Sequence, residues 1–460
     1  MKNLVLTIVF LLSIVVHPWN AAAQVDSALV TLFNDAIDYQ MSSQGDKGVG
    51  VAVVMPDGQL WWGQKGIDQY GQPLTDTTLF FTASLTKTMV AACVLQLVEE
   101  GLIQLDSPYT HYLSAIPYVD TMSTIRQLLN QTAGVHEFQK NPAWANELFS
   151  GISLAPGEVL ERYLDQPNDF PPGTSWAYSS SNYVVLGLVI EKVTGETLHE
   201  NLRTRFFIPL GLNHTWCGGF ETFPGPDAGM WNMVGGVLVN FSSMPRTTLL
   251  TQGFAVGYVV STPHDMALWA KALYKDRNIL TVDSYAEMFT IAPQSEGFWG
   301  PGWGYGLGMI RLPVNVNQQL YGFGHSGILI HQSNMYWDEE KNFIVVTMTN
   351  SASQNGNLAF QSIYFPLRSQ LTNLASEIDV TDLILYPNPA TGEVRLEGYV
   401  EAGSDLMVTD LNGKVIFQER IKSSAEQIRL DISHWAPSTY WVWIQMPNGK
   451  IGRGKFIKVR

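Results

Sequence analysis

The chain has 460 residues, enough for two or three domains, and its 46% hydrophobic and 15% charged residues suit a globular protein with a sizeable core. A formal net charge of −14 argues against nucleic acid as a partner, because phosphates demand a basic face. The two cysteines, Cys93 and Cys217, form either one disulfide or two separate buried thiols. No His-x-x-x-His or Cys/His cluster has metal spacing, so neither a metal nor a cofactor is expected.

Along the chain, Lys2, the apolar run Leu4 to Val16 and the small residues Ala21-Ala22-Ala23 read as an export signal over 1–23, with Gln24 as the mature start. The run is short for a bilayer span, and no later segment is long and apolar enough, so the mature protein is expected to have no transmembrane helix. Asp26 to Gln40 has helical periodicity. Val49 to Val54 and Leu60 to Gly63 read as strands joined by the turn Pro56-Asp57-Gly58. A helix from Ser84 to about Glu100 buries Leu85, Met89, Val94, Leu97 and Val98 and stops at Gly101. The middle is loop-rich, with turns at Pro171-Pro172-Gly173 and Phe223-Pro224-Gly225-Pro226. A second helix begins near Ser180 and stops at Gly195. Gly322 to His331 and Phe343 to Asn350 read as neighbouring strands, and Asn357 to Leu374 as a closing helix whose continuity Pro366 puts in question. From Ile378 onward, short alternating segments separated by Pro387-Asn388-Pro389, Asn412-Gly413 and Asn448-Gly449 predict a small all-β sandwich. The expected organisation is an export signal at 1–23, a main domain at 24–374 and a C-terminal sandwich at 375–460.

Three stretches carry chemistry. In Phe80-Phe81-Thr82-Ala83-Ser84-Leu85-Thr86-Lys87-Thr88 a serine and a lysine stand three apart at a helix start, on one face. A serine hydroxyl needs a base to take its proton, and a lysine held away from water loses part of its preference for the ammonium form. In Trp176-Ala177-Tyr178-Ser179-Ser180-Ser181-Asn182-Tyr183, Tyr178 is a candidate proton relay, provided that nearby cations lower its pKa. In Gly322-Phe323-Gly324-His325-Ser326-Gly327-Ile328, glycines permit close approach along a strand edge, and His325 is placed to orient a substrate or hydrogen-bond a leaving group. The Gly-x-Ser-x-Gly elbow of α/β-hydrolases is absent.

Together these three stretches resemble the motifs of the serine beta-lactamase and penicillin-binding-protein family, in the branch holding class C beta-lactamases, D-alanyl-D-alanine carboxypeptidases and related esterases. The resemblance covers roughly Val25 to Asn373, supported by Leu128 to Val135, Tyr183 to Gly187 and Val259 to Met266. It implies an α+β fold, an antiparallel sheet flanked by helices with a helical subdomain. It also implies Ser84 as nucleophile, Lys87 as its partner base, and Tyr178 as second base or relay. His325 falls at the third-motif position. The backbone N–H groups of Ser84 and Ile328 would form the oxyanion hole, with Ser180, Ser326 and Gly327 facing the substrate. Which of Lys87 and Tyr178 takes the first proton is open. The chain departs from the family pattern at Ser180, where asparagine is common, and at His325, where class C beta-lactamases carry lysine. The implied activity is an exported serine hydrolase acting through an acyl-serine on D-amino-acid peptides, peptide-like amides or esters. A true beta-lactamase and a non-catalytic binder or sensor are the alternatives. Arg311 is a candidate holder of a terminal carboxylate, and Trp299, Trp303 and Tyr305 are candidate cleft walls.

The last ~80 residues resemble the C-terminal sorting domain of type IX secretion in Bacteroidota. The matching features are Tyr386-Pro387-Asn388-Pro389-Ala390, Asp410-Leu411-Asn412-Gly413-Lys414-Val415 and the basic strand ending Lys455-Phe456-Ile457-Lys458-Val459-Arg460. This implies the type IX machinery as a partner. It also implies passage through the periplasm, and release or outer-membrane surface attachment.

Overall fold

The structure is a computed structural model that describes residues 25–234, 237–315, 319–351, 358–377, 380–382, 384–410, 415–447 and 451–459. The export signal expected at 1–23 and the turns expected at Asn412-Gly413 and Asn448-Gly449 lie outside the described residues. The chain divides into one unit ending at Tyr364 and a second over Phe365–Arg460.

The first unit is built on a seven-stranded antiparallel sheet. Its strands are β1 (Gly48–Val54), β2 (Leu60–Gly66), β3 (Gly304–Tyr305), β4 (Ile310–Asn315), β5 (Leu320–Ile328), β6 (Gln332–Asp338) and β7 (Phe343–Thr349), in the spatial order β2-β1-β7-β6-β5-β4-β3. The first strand, all seven of whose residues are buried, is covered on both faces, which is why it reads as an unbroken apolar run rather than an alternating one. A Cβ on Gly50 would meet Pro263 at 2.6 Å, whereas one on Gly63, the partner of Val51, would point to Ile37. Successive residues face opposite sides, so the helix carrying Ile37 and the helix starting at Pro263 cover opposite faces of the sheet.

The helices that matter for the site are α1 (Ser27–Gln44), α2 (Thr86–Glu99), α3 (Ser180–Thr194), α4 (Pro263–Ala270) and α5 (Leu358–Glu377). Gly101 (φ 75°) and Gly195 (φ 71°) follow the ends of α2 and α3 in the left-handed conformation that closes a helix, where glycine carries no steric penalty. The second helix is buried over nearly its whole circumference and packs against α3, forming the middle of the main hydrophobic core.

Two expectations change. Strands β5 and β7 are not neighbours, because Gln332–Asp338 runs between them and pairs with both. That strand hides in the sequence because Gln332, Ser333, Asn334 and Asp338 are buried polar residues; Asn334, for one, donates to Thr347 Oγ1 at 3.3 Å. The closing helix runs through Pro366 without a break. A proline removes one helical hydrogen bond, and the buried face of Ala359, Phe360, Ile363 and Tyr364 offsets that loss, with the Tyr364 hydroxyl donating to Asp338 Oδ2 at 2.9 Å.

The second unit holds a three-stranded and a five-stranded sheet. Inward-facing Val394, Leu396, Leu406, Val408, Tyr440, Val442, Ile444 and Phe456 from the two sheets share one core, the packing of a small β-sandwich. Among the described residues no helix is long and apolar enough to cross a membrane.

Removing a fully buried side chain from the last turn of α2 should be costly. Leu97→Ala is expected to destabilise the first unit by about 2–5 kcal/mol in urea titrations followed by tryptophan fluorescence. An unchanged midpoint would mean that this face does not carry the core.

Candidate active site

Ser84 sits on a 3-10 turn, Ala83–Leu85, immediately before α2, rather than inside the helix. The turn is pinned from two sides. Thr82 donates through its N–H and its hydroxyl to Val259 O, both at 2.9 Å, and Ser333 on β6 donates to Thr82 O at 2.6 Å. Ala83 holds φ 48°, an uncommon conformation for a residue with a side chain. Such strain persists where the surroundings over-determine the backbone, and it lifts Ser84 to the cleft.

The end of β5 lies directly against this turn. A Cβ on Gly327 would stand 2.5 Å from Thr82 O and 2.8 Å from Ser84 N. Only glycine lets the strand edge and the Ser84 N–H approach this closely.

Lys87, in the first turn of α2, is fully buried. Its Nζ donates to Ser84 Oγ at 3.0 Å and to Val256 O at 2.9 Å. The rings of Tyr178 and Tyr183 lie 5.1 and 5.6 Å from Nζ. Burial drives the Lys87 pKa down to about 7, and the negative charge of Glu137 opposes that shift without cancelling it.

The loop carrying Tyr178 is stitched to the segment Asn130–Glu137. Trp176 Nε1 donates to Asn130 O at 2.9 Å, Ser179 N to Gln131 Oε1 at 3.0 Å, Ser181 Oγ to His136 O at 2.6 Å, and Ser180 N to Glu137 Oε2 at 2.6 Å. Two of these four acceptors, Asn130 O and Gln131 Oε1, belong to the Leu128–Val135 stretch. The condition attached to Tyr178, a pKa lowered by cations, is not met. Burial, and then the neighbouring Tyr305, hold its pKa well above the usual value, and a hydrogen bond with Ser84 only partly offsets them. Tyr178 is therefore a neutral phenol beside a lysine that is close to half deprotonated at neutral pH.

His325 is buried on β5 with both ring nitrogens engaged. Nδ1 lies 2.6 Å from Ser326 O, which can only accept, so Nδ1 carries the proton; Nε2 then accepts from the Tyr305 hydroxyl at 3.1 Å. Burial and the Lys87 charge push its pKa down to about 3, leaving the ring neutral. The Ser326 hydroxyl donates to Asn334 Oδ1 at 3.0 Å and lies 2.9 Å from the Tyr336 hydroxyl.

Ser84, Lys87, Tyr178, Ser180, His325, Ser326, Gly327 and Ile328 all line one cleft of ≈ 390 Å³. Trp299 walls it, Tyr305 stands behind His325, and Trp303 packs on Trp299 with centroids 6.1 Å apart. Asn182, within the second motif stretch, and Arg311, the candidate holder of a carboxylate, do not line the cleft. Asn182 is buried, donating to Gln131 Oε1 at 2.6 Å, and Arg311 is tied to Glu296 Oε2 at 2.5 Å and Gly302 O at 3.0 Å. Cys93 and Cys217 are free buried thiols, and burial pushes the Cys93 pKa up to about 12.

Sequence reasoning missed Glu137, Gln131, Tyr305 as a partner of His325, and Gln252. Glu137 caps the start of α3 and acts on both Lys87 and Tyr178, and its own pKa is raised by burial. Nothing in the spacing of these four residues announces that they meet around one site, since a loop brings Gln131 and Glu137, the strand β3 brings Tyr305, and the helix Thr247–Gln252 brings Gln252.

Residues 33–363, well over half of the chain, match the Beta-lactamase family, and this chain belongs to that family of serine hydrolases. Residues 384–458 match the Secretion system C-terminal sorting domain, which marks the protein for export by the type IX pathway of Bacteroidota. The chain is similar to esterase EstB of Burkholderia gladioli, 30% identical over 220 residues that cover 44% of this chain and 55% of that protein. It is similar also to penicillin-binding protein 4 of Amycolatopsis lactamdurans, 29% identical over 175 residues, or 36% and 44% of the two chains. Two penicillin-binding relatives from Bacillus subtilis are matched over 61% and 32% of their own length, so these matches fall short of the whole relative. Among solved structures, the D-amino acid amidase of Ochrobactrum anthropi SV3 complexed with L-phenylalanine amide superposes with a TM-score of 0.65 at 26% identity, covering 75% of this chain and 99% of that one.

The contact between β5 and the Ser84 turn gives a direct test. Gly327→Ala is expected to force the strand from the turn and lower Ser84 labelling by an acylating probe about 10²-fold, with an unchanged far-ultraviolet circular dichroism spectrum. Labelling at the wild-type rate would show that the close approach is dispensable.

Proposed function

We propose that the protein is an exported hydrolase that works through an acyl-Ser84 intermediate on D-amino-acid amides, peptide-like amides or esters. The observation that carries this reading is the buried Lys87 amine, 3.0 Å from the Ser84 hydroxyl with its pKa brought down to about 7. Neutral Lys87 takes the Oγ proton as Oγ bonds to the substrate carbonyl carbon. The Ser84 and Ile328 N–H groups receive the developing oxyanion, a contribution on the order of 3 kcal/mol per donor. Collapse breaks the bond to the leaving nitrogen or oxygen, which takes its proton from the neutral Tyr178 phenol, itself reprotonated from Lys87. Water then attacks the acyl-serine, releasing the carboxylic acid and restoring the Ser84 hydroxyl. The titration states favour Lys87 over Tyr178 as the first base.

The similarity to an amidase and an esterase supports this range of substrates, and the D-amino-acid class is drawn from the amidase. Incubation with an ester or D-amino-acid amide followed by mass spectrometry is expected to show an adduct on Ser84 that is absent in Ser84→Ala. Equal labelling of the two proteins would overturn the reading. Tight binding without turnover across esters, amides and a beta-lactam would point instead to a binder or sensor, and efficient cephalosporin hydrolysis to a beta-lactamase.

The pH dependence follows from the direction of the Lys87 shift. Below about 7 the amine is protonated and cannot accept, so the acylation rate should fall about tenfold per pH unit and level off above 8. Lys87→Ala is expected to cut acylation at least ~10²-fold at pH 8. A flat profile between pH 5 and 8 in stopped-flow acylation would remove Lys87 from the base role.

A further inference from the structure

We propose that the cleft selects esters and amides whose leaving group is uncharged, and discriminates against those whose leaving group carries a carboxylate. This narrows the substrate class of the acyl-serine hydrolase proposed above and rests on it.

The argument begins with charge. Among the described residues that line the cleft, Lys87 has the sole ammonium or guanidinium group. It is fully buried and spent on Ser84 Oγ and Val256 O, so it is not free to pair with an anion further along the cleft. On the strand that closes over the reacting serine, the cleft-lining position at which class C beta-lactamases carry lysine holds His325. Its one N–H is given to Ser326 O and its one lone pair to Tyr305, so the ring offers an anion neither charge nor donor. The Ser326 hydroxyl beside it is also committed within the sheet.

Two charged residues near the cleft, Arg311 and Glu137, strengthen the case. Arg311 lies on β4, next to β5, but its guanidinium is held by Glu296 and Gly302 O and does not line the cleft. Glu137, fixed by the Ser180 and Gln139 N–H groups, places a carboxylate where it acts on Lys87 and Tyr178, so its field offsets that of the single cation.

The wall completes the picture. Trp144, Leu148, Leu249, Trp299, Ile310 and Ile328 give the cleft a largely apolar lining, and Gln139, Gln252 and Gln332 add neutral amides. A carboxylate seated here would lose hydration with no ion partner to compensate it, whereas a carboxamide, ester or hydrocarbon would not.

The experiment uses the full chain and a matched pair of acetate esters, 4-acetoxybenzamide and 4-acetoxybenzoate, which share the acyl group and differ in the charge on the leaving phenol. Each kcat/KM is normalised to the ester's rate with hydroxide. We expect the carboxamide to exceed the carboxylate by at least ~10-fold. Ile328 is 62% exposed at the cleft, so Ile328→Arg can install a cation there at little cost to folding. It should shrink the preference at least ~3-fold, and Ile328→Gln should not. Equal or reversed rates in a wild type that Ser84→Ala inactivates would overturn the selectivity and leave the hydrolase standing. A preference that Ile328→Arg leaves untouched would also overturn it, since the cause would lie outside the cleft's charge. No turnover of either ester with no adduct on Ser84 would remove both the selectivity and the acyl-serine reading beneath it.

Discussion

Keeping an amine in a protein interior is expensive, and this fold is arranged around one. The ammonium form of Lys87 is buried, with one backbone carbonyl and one serine hydroxyl to donate to and no ion pair among the described residues, so the interior favours the neutral amine. Two tyrosine faces and the more distant charge of Glu137 return part of what burial takes away. The balance leaves an amine that exchanges its proton near neutrality while touching a serine hydroxyl. Remove the helix pair α2 and α3 from around it and the lysine becomes an ordinary solvated cation. The hydrophobic core is thus part of the site's chemistry as well as of its stability.

That dependence explains why the site is assembled from distant pieces. The turn before α2 supplies Ser84, the loop before α3 supplies Tyr178, and the edge of β5 closes over both at Gly327. Each piece is stiff for its own reason: Ser333 and Val259 clamp the turn, the Asn130–Glu137 segment clamps the loop, and sheet pairing clamps the strand. A constellation braced at the turn, the loop and the strand keeps its geometry before a substrate arrives.

Much of this was legible in the sequence, and the reasons for the rest are physical. Helices α2 and α3 announce themselves because apolar residues recur at helical spacing and a glycine follows each end. The strand β6 does not, because four of its seven buried residues, Gln332, Ser333, Asn334 and Asp338, are polar and break the apolar run that marks an interior strand. The four residues Ser84, Lys87, Tyr178 and His325 were readable from their motifs, but their electrical state was not. Tyr178 was expected to have its pKa lowered by cations, which does not happen, and the tautomer of His325 is set by Ser326 O, which leaves Nε2 to accept from Tyr305, twenty residues away on another strand. Arg311 is the converse case: its type suggested an anion site, and only the position of Glu296 shows it already occupied.

The two lone cysteines carry a last consequence. Both sulfurs are sealed in the apolar interior, and they are not joined to one another. With its thiols held in the protonated, unreactive form, the main unit owes nothing to the redox poise of its surroundings. Its tertiary structure is held by packing and hydrogen bonds, with no cross-link between these two cysteines for an oxidant to form or a reductant to break.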